Sequence, residues 1–580
     1  MSNTPFKLSD PFGTAPTQPP FTQSVSTGIP WGGHPVTHEY TLGQLLDRAI
    51  ARCDDHDAIV YADRDFRLTW QEFGELVDRM ARGLMALGVQ HGEKIAIWAT
   101  NVPHWVPLMF AAAKIGAILL PLNTSYRSTE IAYALEQSDT ENLFIINGFR
   151  DTDYLAIIYE LIPELRQKPR HLLKTPKFPK LKRVFFLGPE KHRGMYSLDE
   201  LLALAGETPW ADYQARQAEL SCHDVVNMQY TSGTTGFPKG VQLTHYNIAN
   251  DGFWIGACQN LGPADRVCIP VPLFHCFGCV LGVMACVNHA STMVFVERYD
   301  PINVMMSIEH ERCTACYGVP TMYIAILDHP LFAKFDYSTL RTGLMSGTTC
   351  PEVRMRQVVD RMNMTEVSIP YGLTEAGPVM TQTRYFEEDL IRKCTTIGQA
   401  QPGIEVAIID PETGDIAPIG QPGEICCRGF NTMKGYYKMP ELTAECIDKN
   451  GWLHSGDIGH MDAEGYYYIT GRLKDVIIRG GENISPKEVE NFIGHMDAVQ
   501  DVQVVGVPSK RYGEQPAAFI IPKPGADLVE TDIDDFCRNK IAWFKIPKYI
   551  HFVDSYPQTA SGKIKKYLLR EEAARLWPDA

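Results

Sequence analysis

Positive charge is in short supply in this chain: 54 Lys and Arg stand against 69 Asp and Glu, a formal net charge of −15 over 580 residues. A protein whose affinity rests on neutralising a phosphate backbone needs the opposite balance, so general nucleic-acid binding is excluded. Any anionic ligand must be met by a local basic site. The first 40 residues hold one Lys and no Arg, and no apolar run follows Met1, so neither a secretory signal nor a mitochondrial presequence is expected. Long hydrophobic stretches are scarce too. Val267–Val287 passes 21 positions without Asp, Glu, Lys or Arg, enough to span a bilayer. Pro270, Pro272, His275, Gly278 and Gly282 interrupt it, and a buried strand–turn–helix is expected rather than a membrane segment. Neither G-x-x-x-x-G-K-[ST] nor G-x-S-x-G occurs, which removes the Walker A and serine-nucleophile readings. The fifteen cysteines are scattered, several inside apolar runs (Cys268, Cys286, Cys316). They read as reduced, buried thiols of a cytoplasmic protein. The pairs Cys276/Cys279 and Cys313/Cys316 have C-x-x-C spacing, but their separation and apolar context do not suit a zinc ribbon.

What is present is a strand–helix alternation. Residues 1–38, rich in Pro, Thr, Ser and Gly, read as an arm. Capping boxes at Thr41–Gln44 and Thr69–Glu72 open helices with apolar residues at helical spacing. Lys94–Trp98 reads as a strand, Trp105–Ile118 as a helix and Val184–Leu187 as a strand. This is the pattern of an α/β protein with a mostly parallel, doubly wound sheet. From about residue 398 short β segments with frequent glycine indicate a small β-rich subdomain, about 398–471. After Gly471 a hairpin, a helix capped at Ser485, strands at Val499–Val507 and Ala517–Ile521, a helix at 531–542 and a strand at Tyr549–Val553 make a compact α+β domain, 472–580. Lys565 and Lys566 read as a solvated tail.

Tyr230-Thr231-Ser232-Gly233-Thr234-Thr235-Gly236-Phe237-Pro238-Lys239-Gly240 lies between two apolar segments and reads as a loop between strands. Glycines let backbone N–H groups come close to a ligand, hydroxyls add short donors and Lys239 adds charge, a combination suited to phosphate oxygens. Downstream, Pro272-Leu273-Phe274-His275, Thr342–Thr349 and Ile369-Pro370-Tyr371-Gly372-Leu373-Thr374-Glu375 each end an apolar segment in a polar turn. Ligands of open α/β sheets sit at such strand ends.

Taken in order with His454-Ser455-Gly456-Asp457, Gly471-Arg472-Leu473-Lys474-Asp475 and Ser561-Gly562-Lys563, these stretches resemble the adenylate-forming (AMP-binding) superfamily. The resemblance runs over roughly residues 40–570. Pro272–Gly278 is most similar to the medium-chain fatty acyl-CoA synthetases. It implies a large N-terminal domain, 39–471, of doubly wound sheets plus the small β subdomain, and a small mobile α+β C-terminal domain. It also implies an AMP-forming ligase that turns a carboxylic acid and ATP into acyl-adenylate and pyrophosphate, then passes the acyl group to CoA.

The site residues follow from that resemblance. Thr231, Ser232, Gly233, Thr234, Thr235, Gly236, Pro238 and Lys239 would hold the β- and γ-phosphates. Tyr371, with Gly372 and Thr374 in its motif, would stack on adenine, and Gly347 and Thr348 would line the base pocket. Asp457 would accept the ribose hydroxyls, and Arg472 would offer its fork of donors to ribose and phosphate. Glu375 and Thr234 would hold Mg²⁺. Lys563 would reach the carboxylate and α-phosphate during adenylation. Lys474 matches the hinge position, and Gly480 and Gly481 would let the pantetheine arm of CoA pass. His275 would position the carboxylate end of the acid, beside an acyl wall of Trp254, Phe277, Gly278, Val319 and Gly347. Ser346-Gly347-Thr348-Thr349-Cys350-Pro351 departs from the commoner Ser-Gly-Gly-Ala-Pro pattern. The compact motif spacing favours shorter or medium chains, and the resemblance makes the acid a medium-chain fatty acid. Alternatives are an aryl or branched acid, or another acceptor: a carrier-protein thiol, or oxygen as in luciferase. The partners implied are small molecules, with no nucleic acid and no integral membrane segment. Monomer and homodimer both stay open.

Overall fold

The computed structural model describes residues 21–31, 33–231, 238–347, 350, 352–479, 482–509, 512–538, 540–559 and 563–578, with the backbone alone at Lys474, Glu482 and Asn483. Packing separates two compact units. The first is built from Thr27–Val406 and Cys427–Leu453, the second from residues 21–26, Ala407–Cys426 and the chain from His454 onward. The sequence-based division at 471/472 therefore falls inside the second unit. The expected hinge Lys474 lies in its short turn Leu473–Asp475.

In the first unit the capping boxes set the helix starts. The Thr41 and Thr69 hydroxyls accept from the N–H of Gln44 and Glu72 at 3.3 and 3.2 Å. The Gln44 and Glu72 side chains return to the cap N–H at 2.9 and 2.8 Å. The helices they open, Leu42–Cys53 and Trp70–Ala86, bury Leu45, Leu46 and Ala49, and Phe73, Val77, Met80 and Leu84. Arm residue Trp31 packs with its ring centroid 5.1 Å from that of Trp254.

Two large sheets organise this unit. One has eight strands in the order Tyr196–Ser197, Arg183–Phe186, Asn142–Ile145, Lys94–Trp98, Ile118–Pro121, Val225–Thr231, Lys239–Thr244, Gly435–Tyr436. Its first five pairings are parallel and its last two antiparallel. The other has seven, in the order Glu366–Ser368, Thr342–Met345, Ala315–Gly318, Arg266–Ile269, Thr292–Phe295, Asp57–Tyr61, Phe66–Thr69. All of its pairings are parallel except the last. Strands such as Val267–Ile269 and Ala315–Gly318 are apolar on both faces because helices cover both sides of a parallel sheet. This is the doubly wound α/β architecture that the strand–helix alternation predicts.

The apolar stretch 267–287 forms the strand Arg266–Ile269 and, after a turn, a helix over Phe277–Met284 that continues as Ala285–His289, all buried but Asn288. Phe277–Met284 is wound with the wider i→i+5 spacing, a local form frequent at functional sites. Among the described residues no helix is long and apolar enough to cross a membrane. Cys268 and Cys316 are register partners on neighbouring strands and share a core with Cys313, Tyr323 and Met345.

The second unit contains most of a five-stranded sheet (Val25–Thr27, Ile404–Ile409, Gly423–Gly429, Leu453–Met461, Tyr467–Arg472, in that order) and the C-terminal α+β module. In the module Gly513–Pro522 pairs antiparallel with Val499–Ser509 and parallel with Tyr549–Phe552. Helices Pro486–Ile493 and Glu530–Cys537 cover one face, where Val489, Ile493 and Ile533 share a core with Ile520 of the strand, and helix Lys566–Leu576 covers the other, where Leu569 and Ala573 share a core with Phe519. Three local expectations change. Ser485 does not cap its helix with its side chain; its hydroxyl donates to the Thr470 carbonyl, which strand Tyr467–Arg472 brings beside it. The helix expected over 531–542 ends at Cys537, where Arg538 turns to extended backbone. Lys566 is not a solvated tail: its Nζ lies 2.5 Å from Oε1 of the buried Glu490.

Ile520 is fully buried in the module's core. Ile520→Ala is expected to cost about 3 kcal/mol, within the range for removing a buried aliphatic side chain. Calorimetry should show one transition moved down; an unmoved trace would contradict this core assignment.

Candidate active site

Four of the expected positions follow the same ends of adjacent parallel strands. His275 comes after Arg266–Ile269, Val319 after Ala315–Gly318, Gly347 after Thr342–Met345 and Tyr371 after Glu366–Ser368. Because these strands are neighbours and parallel, their carboxyl ends form one edge, the usual ligand-binding edge of such sheets. Gly347 has φ +92°, a conformation costly for other residues, and a Cβ placed there would stand 3.0 Å from Val319 Cγ1. The Ser346 hydroxyl donates to the Pro370 carbonyl at 2.8 Å, tying this turn to the one that carries Tyr371. Tyr371 is half-buried, and its carbonyl accepts from Met380 N–H at 2.8 Å. Gly372 packs against the Pro378 carbonyl, where a Cβ would stand at 2.2 Å.

His275 is half-buried. Its Nδ1 accepts from the Phe277 N–H at 3.1 Å and lies 3.5 Å from Cys276 Sγ, which in turn lies 3.6 Å from Thr374 Oγ1. The ring is thus turned by the first residues of the wide helix. Gly278 is pressed on the Pro272 carbonyl, where a Cβ would stand at 2.3 Å, so the tight turn requires glycine. Phe277 stacks on Tyr317 with centroids 6.2 Å apart. Trp254 is fully buried, and its Nε1 donates to the Val36 carbonyl at 2.8 Å. In the C-x-x-C pair Cys276/Cys279, Cys279 Sγ accepts from Gln229 Nε2 at 3.0 Å, and burial pushes its thiol above the usual range.

On the other large sheet, strands Val225–Thr231 and Lys239–Thr244 pair antiparallel with Thr231 opposite Lys239. They hold the two ends of the glycine-rich loop as expected. Ser232, Gly233, Thr234, Thr235 and Gly236 lie outside the described residues, as do Thr348, Gly480 and Gly481. The Pro238 carbonyl accepts from the Tyr133 hydroxyl at 3.1 Å. Glu375, in the turn Thr374–Ala376, is buried. Its Oε1 accepts from the Thr231 hydroxyl at 3.4 Å and the Tyr436 hydroxyl at 2.8 Å. Lys239 Nζ stands 4.8 Å from the centroid of the Tyr436 ring, within cation–π range. Burial, then the Glu375 charge, push the Tyr436 phenol far above its ordinary range. It remains a donor at any working pH. Sequence reading missed Tyr436: Gly435-Tyr436-Tyr437 looks like an ordinary edge strand, and only the register Val241–Tyr436 brings it beside the loop ends.

In the second unit Asp457 and Arg472 are cross-strand partners. Arg472 Nε donates to Asp457 Oδ1 at 2.6 Å; the carboxylate is 10% exposed and the guanidinium 64%. Asp457 N–H donates to the Ser455 hydroxyl at 3.0 Å, and Gly456 N–H to Glu424 Oε1 at 2.8 Å. Glu424, also missed by sequence reading, therefore fixes the turn before Asp457. Lys563 is tied to Thr559 through its backbone. Thr559 N–H donates to its carbonyl at 2.7 Å, and its own N–H donates to Thr559 Oγ1 at 3.0 Å.

Family models and proteins of known name match most of the chain. The family model described as AMP-binding enzyme matches residues 46–437, and that of the AMP-binding enzyme C-terminal domain matches 488–563. YngI of Bacillus subtilis (strain 168), named as an acyl-CoA synthetase, is 47% identical over 537 residues, covering 93% of this chain and 98% of its own. The human mitochondrial medium-chain acyl-CoA ligase ACSF2 is 37% identical over 541 residues, covering 92% and 88%. Among solved structures, the anthranilate CoA ligase AuaEII in complex with anthranoyl-AMP has a TM-score of 0.80 at 26% identity, covering 93% of this chain and 98% of that one.

Tyr436 and Glu375 share a buried hydrogen bond, so their substitutions should not add. In a double-mutant cycle of Tyr436→Phe and Glu375→Gln, thermal unfolding should give a coupling of about 1 kcal/mol or more. Strict additivity would show that the contact carries no weight.

Proposed function

As a member of the AMP-binding enzyme family the chain is an AMP-forming acid–CoA ligase, an acyl-CoA synthetase acting on a small carboxylic acid, ATP and CoA, and we propose that its acid is a medium-chain fatty acid and that Lys563 drives the first half-reaction. The observation that carries the substrate reading is one strand edge. His275, Val319, Gly347 and Tyr371 follow neighbouring strand ends, and the wholly apolar Phe277–Met284 helix begins two residues after His275. A polar head with an alkyl tail suits that edge. The name of the human relative, a medium-chain acyl-CoA ligase, points the same way.

In the first step a carboxylate oxygen attacks the α-phosphorus of ATP and pyrophosphate leaves. In the second the CoA thiol, losing its proton, attacks the acyl carbonyl and AMP leaves. The mixed anhydride makes the acyl group reactive, so no protein nucleophile is required. In this reading His275, held by the Phe277 N–H, orients the carboxylate, and Tyr371 stacks on adenine beside Gly347, Thr348, Gly372 and Thr374. Asp457 accepts the ribose hydroxyls, its orientation kept by Arg472 and by the turn that Glu424 holds. Thr231–Lys239 grips the leaving pyrophosphate. The oxygen donors at Glu375 and Thr231 suit a hard cation. With Thr234 they would hold Mg²⁺, which neutralises phosphate charge when bound. Trp254, Phe277, Gly278, Val319 and Gly347 form the acyl wall. Lys474 serves as the hinge between half-reactions, and Gly480 and Gly481 give pantetheine passage. The cysteines, all of them thiols and not disulfides, fit a reducing, cytoplasmic setting.

Attack of a carboxylate on a triphosphate brings two anions together, and a fixed cation offsets the charge that develops. An aryl or branched acid is the second reading, favoured by the Phe277–Tyr317 stack, which would shorten the pocket.

Lys563→Ala should slow acid-dependent pyrophosphate release by about 10²-fold or more while sparing thioester formation from preformed acyl-AMP. Equal loss of both steps would remove Lys563 from its assigned role. A panel of straight, branched and aromatic acids scored by acyl-CoA product should peak at chains like octanoate. A peak at benzoate-like acids would establish the second reading.

A further inference from the structure

Beside the turn that leads to Asp457, two neighbouring strands bring together three side chains of different kinds. Glu424 and Cys426, two apart on Gly423–Gly429, point to one side of that strand, and His454 comes from Leu453–Met461. His454 Nδ1 is 2.7 Å from Glu424 Oε2 and 3.4 Å from Cys426 Sγ, and the three atoms all lie within 4.8 Å of one another. Cys426 is fully buried, the Glu424 side chain is 10% exposed and that of His454 29%.

From this arrangement we propose a binding site for a borderline-soft divalent cation, Zn²⁺ or a close substitute, formed by Glu424 Oε2, Cys426 Sγ and His454 Nδ1. One carboxylate oxygen, one thiolate and one imidazole nitrogen are the donor types zinc takes at about 2.0–2.3 Å, and a thiolate–imidazole pair selects against Mg²⁺ and Ca²⁺. In tetrahedral coordination N and O ligands stand about 3.3 Å apart. The Glu424–His454 contact therefore opens by about half an ångström as the cation replaces the shared proton, whereas Cys426 already stands near coordinating distance. The outer oxygen of Glu424 is held by the Gly456 N–H at 2.8 Å, the kind of outer hydrogen bond that fixes a carboxylate ligand. The partial exposure of His454 leaves the fourth position for water and a route of entry. Binding needs His454 as its Nε2–H tautomer and Cys426 as thiolate: the thiol proton passes to solvent, and no electron moves. The site uses none of the residues proposed for Mg²⁺ and does not depend on the substrate assignment.

The full-length protein, stripped with a chelator, would be titrated with Co²⁺ as the spectroscopic probe and then with Zn²⁺. One equivalent of Co²⁺ should give a thiolate-to-cobalt charge-transfer band that Zn²⁺ abolishes. Cys426→Ser should lose the band, whereas Cys427→Ser should keep it. His454→Ala should weaken Zn²⁺ binding by at least about tenfold, since even an outer partner is worth that much. Zn²⁺ should raise the Tm of the wild type but not of Cys426→Ser. No band in the wild type, a band that survives Cys426→Ser, or equal Zn²⁺ affinity in His454→Ala would each overturn the proposal. Should Cys426→Ser fail to fold, Glu424→Gln decides: the Co²⁺ concentration at half of the full band should rise by at least about tenfold, and an unchanged titration would overturn the proposal.

Discussion

The parallel register of four neighbouring strands is the constraint on which the first unit's candidate site depends. Arg266–Ile269, Ala315–Gly318, Thr342–Met345 and Glu366–Ser368 run the same way and lie side by side. Their carboxyl ends therefore open on a single edge, and residues about a hundred positions apart in the chain, His275 and Tyr371, belong to it. Strands buried on both faces must be apolar throughout, so polar chemistry is confined to the turns that follow them. Ser346, Thr374 and Glu375 all stand in such turns.

Much of this was legible in the sequence. The boxes at Thr41 and Thr69, the apolar strands and the loop flanked by Val225–Met228 and Val241–Leu243 obey local rules, and the structure follows them. The motif order carried the family, because no single turn or lysine explains the rest. Illegible were the contacts that depend on register. Tyr436 reads as edge-strand filler until Val241 is placed opposite it. Glu424 reads as a surface carboxylate of a β segment until Gly456 donates to it. Ser485 carries the right residue for a side-chain cap, yet a nearby carbonyl of strand Tyr467–Arg472 takes its hydroxyl. Lys566 looks like tail charge until helix Lys566–Leu576 sets it against Glu490.

Electrostatics connects the acidic composition to the chemistry. With a net charge of −15 the chain offers anionic substrates no long-range attraction, and salt screens such fields within about 10 Å in any case. Charge is instead placed locally. Lys239 lies over the Tyr436 ring and Arg472 against Asp457. Each is held by short-range geometry, which is what stabilising a developing charge requires.

The central claim is that a carboxylate oxygen of the acid bonds to the α-phosphorus of ATP before CoA acts. The most direct measurement uses octanoate labelled with ¹⁸O in its carboxylate, with ATP, Mg²⁺ and CoA, and follows the products by ³¹P NMR and mass spectrometry. The account predicts octanoyl-CoA together with AMP carrying one ¹⁸O, and unlabelled pyrophosphate. ADP and labelled orthophosphate, or AMP without the label, would contradict it.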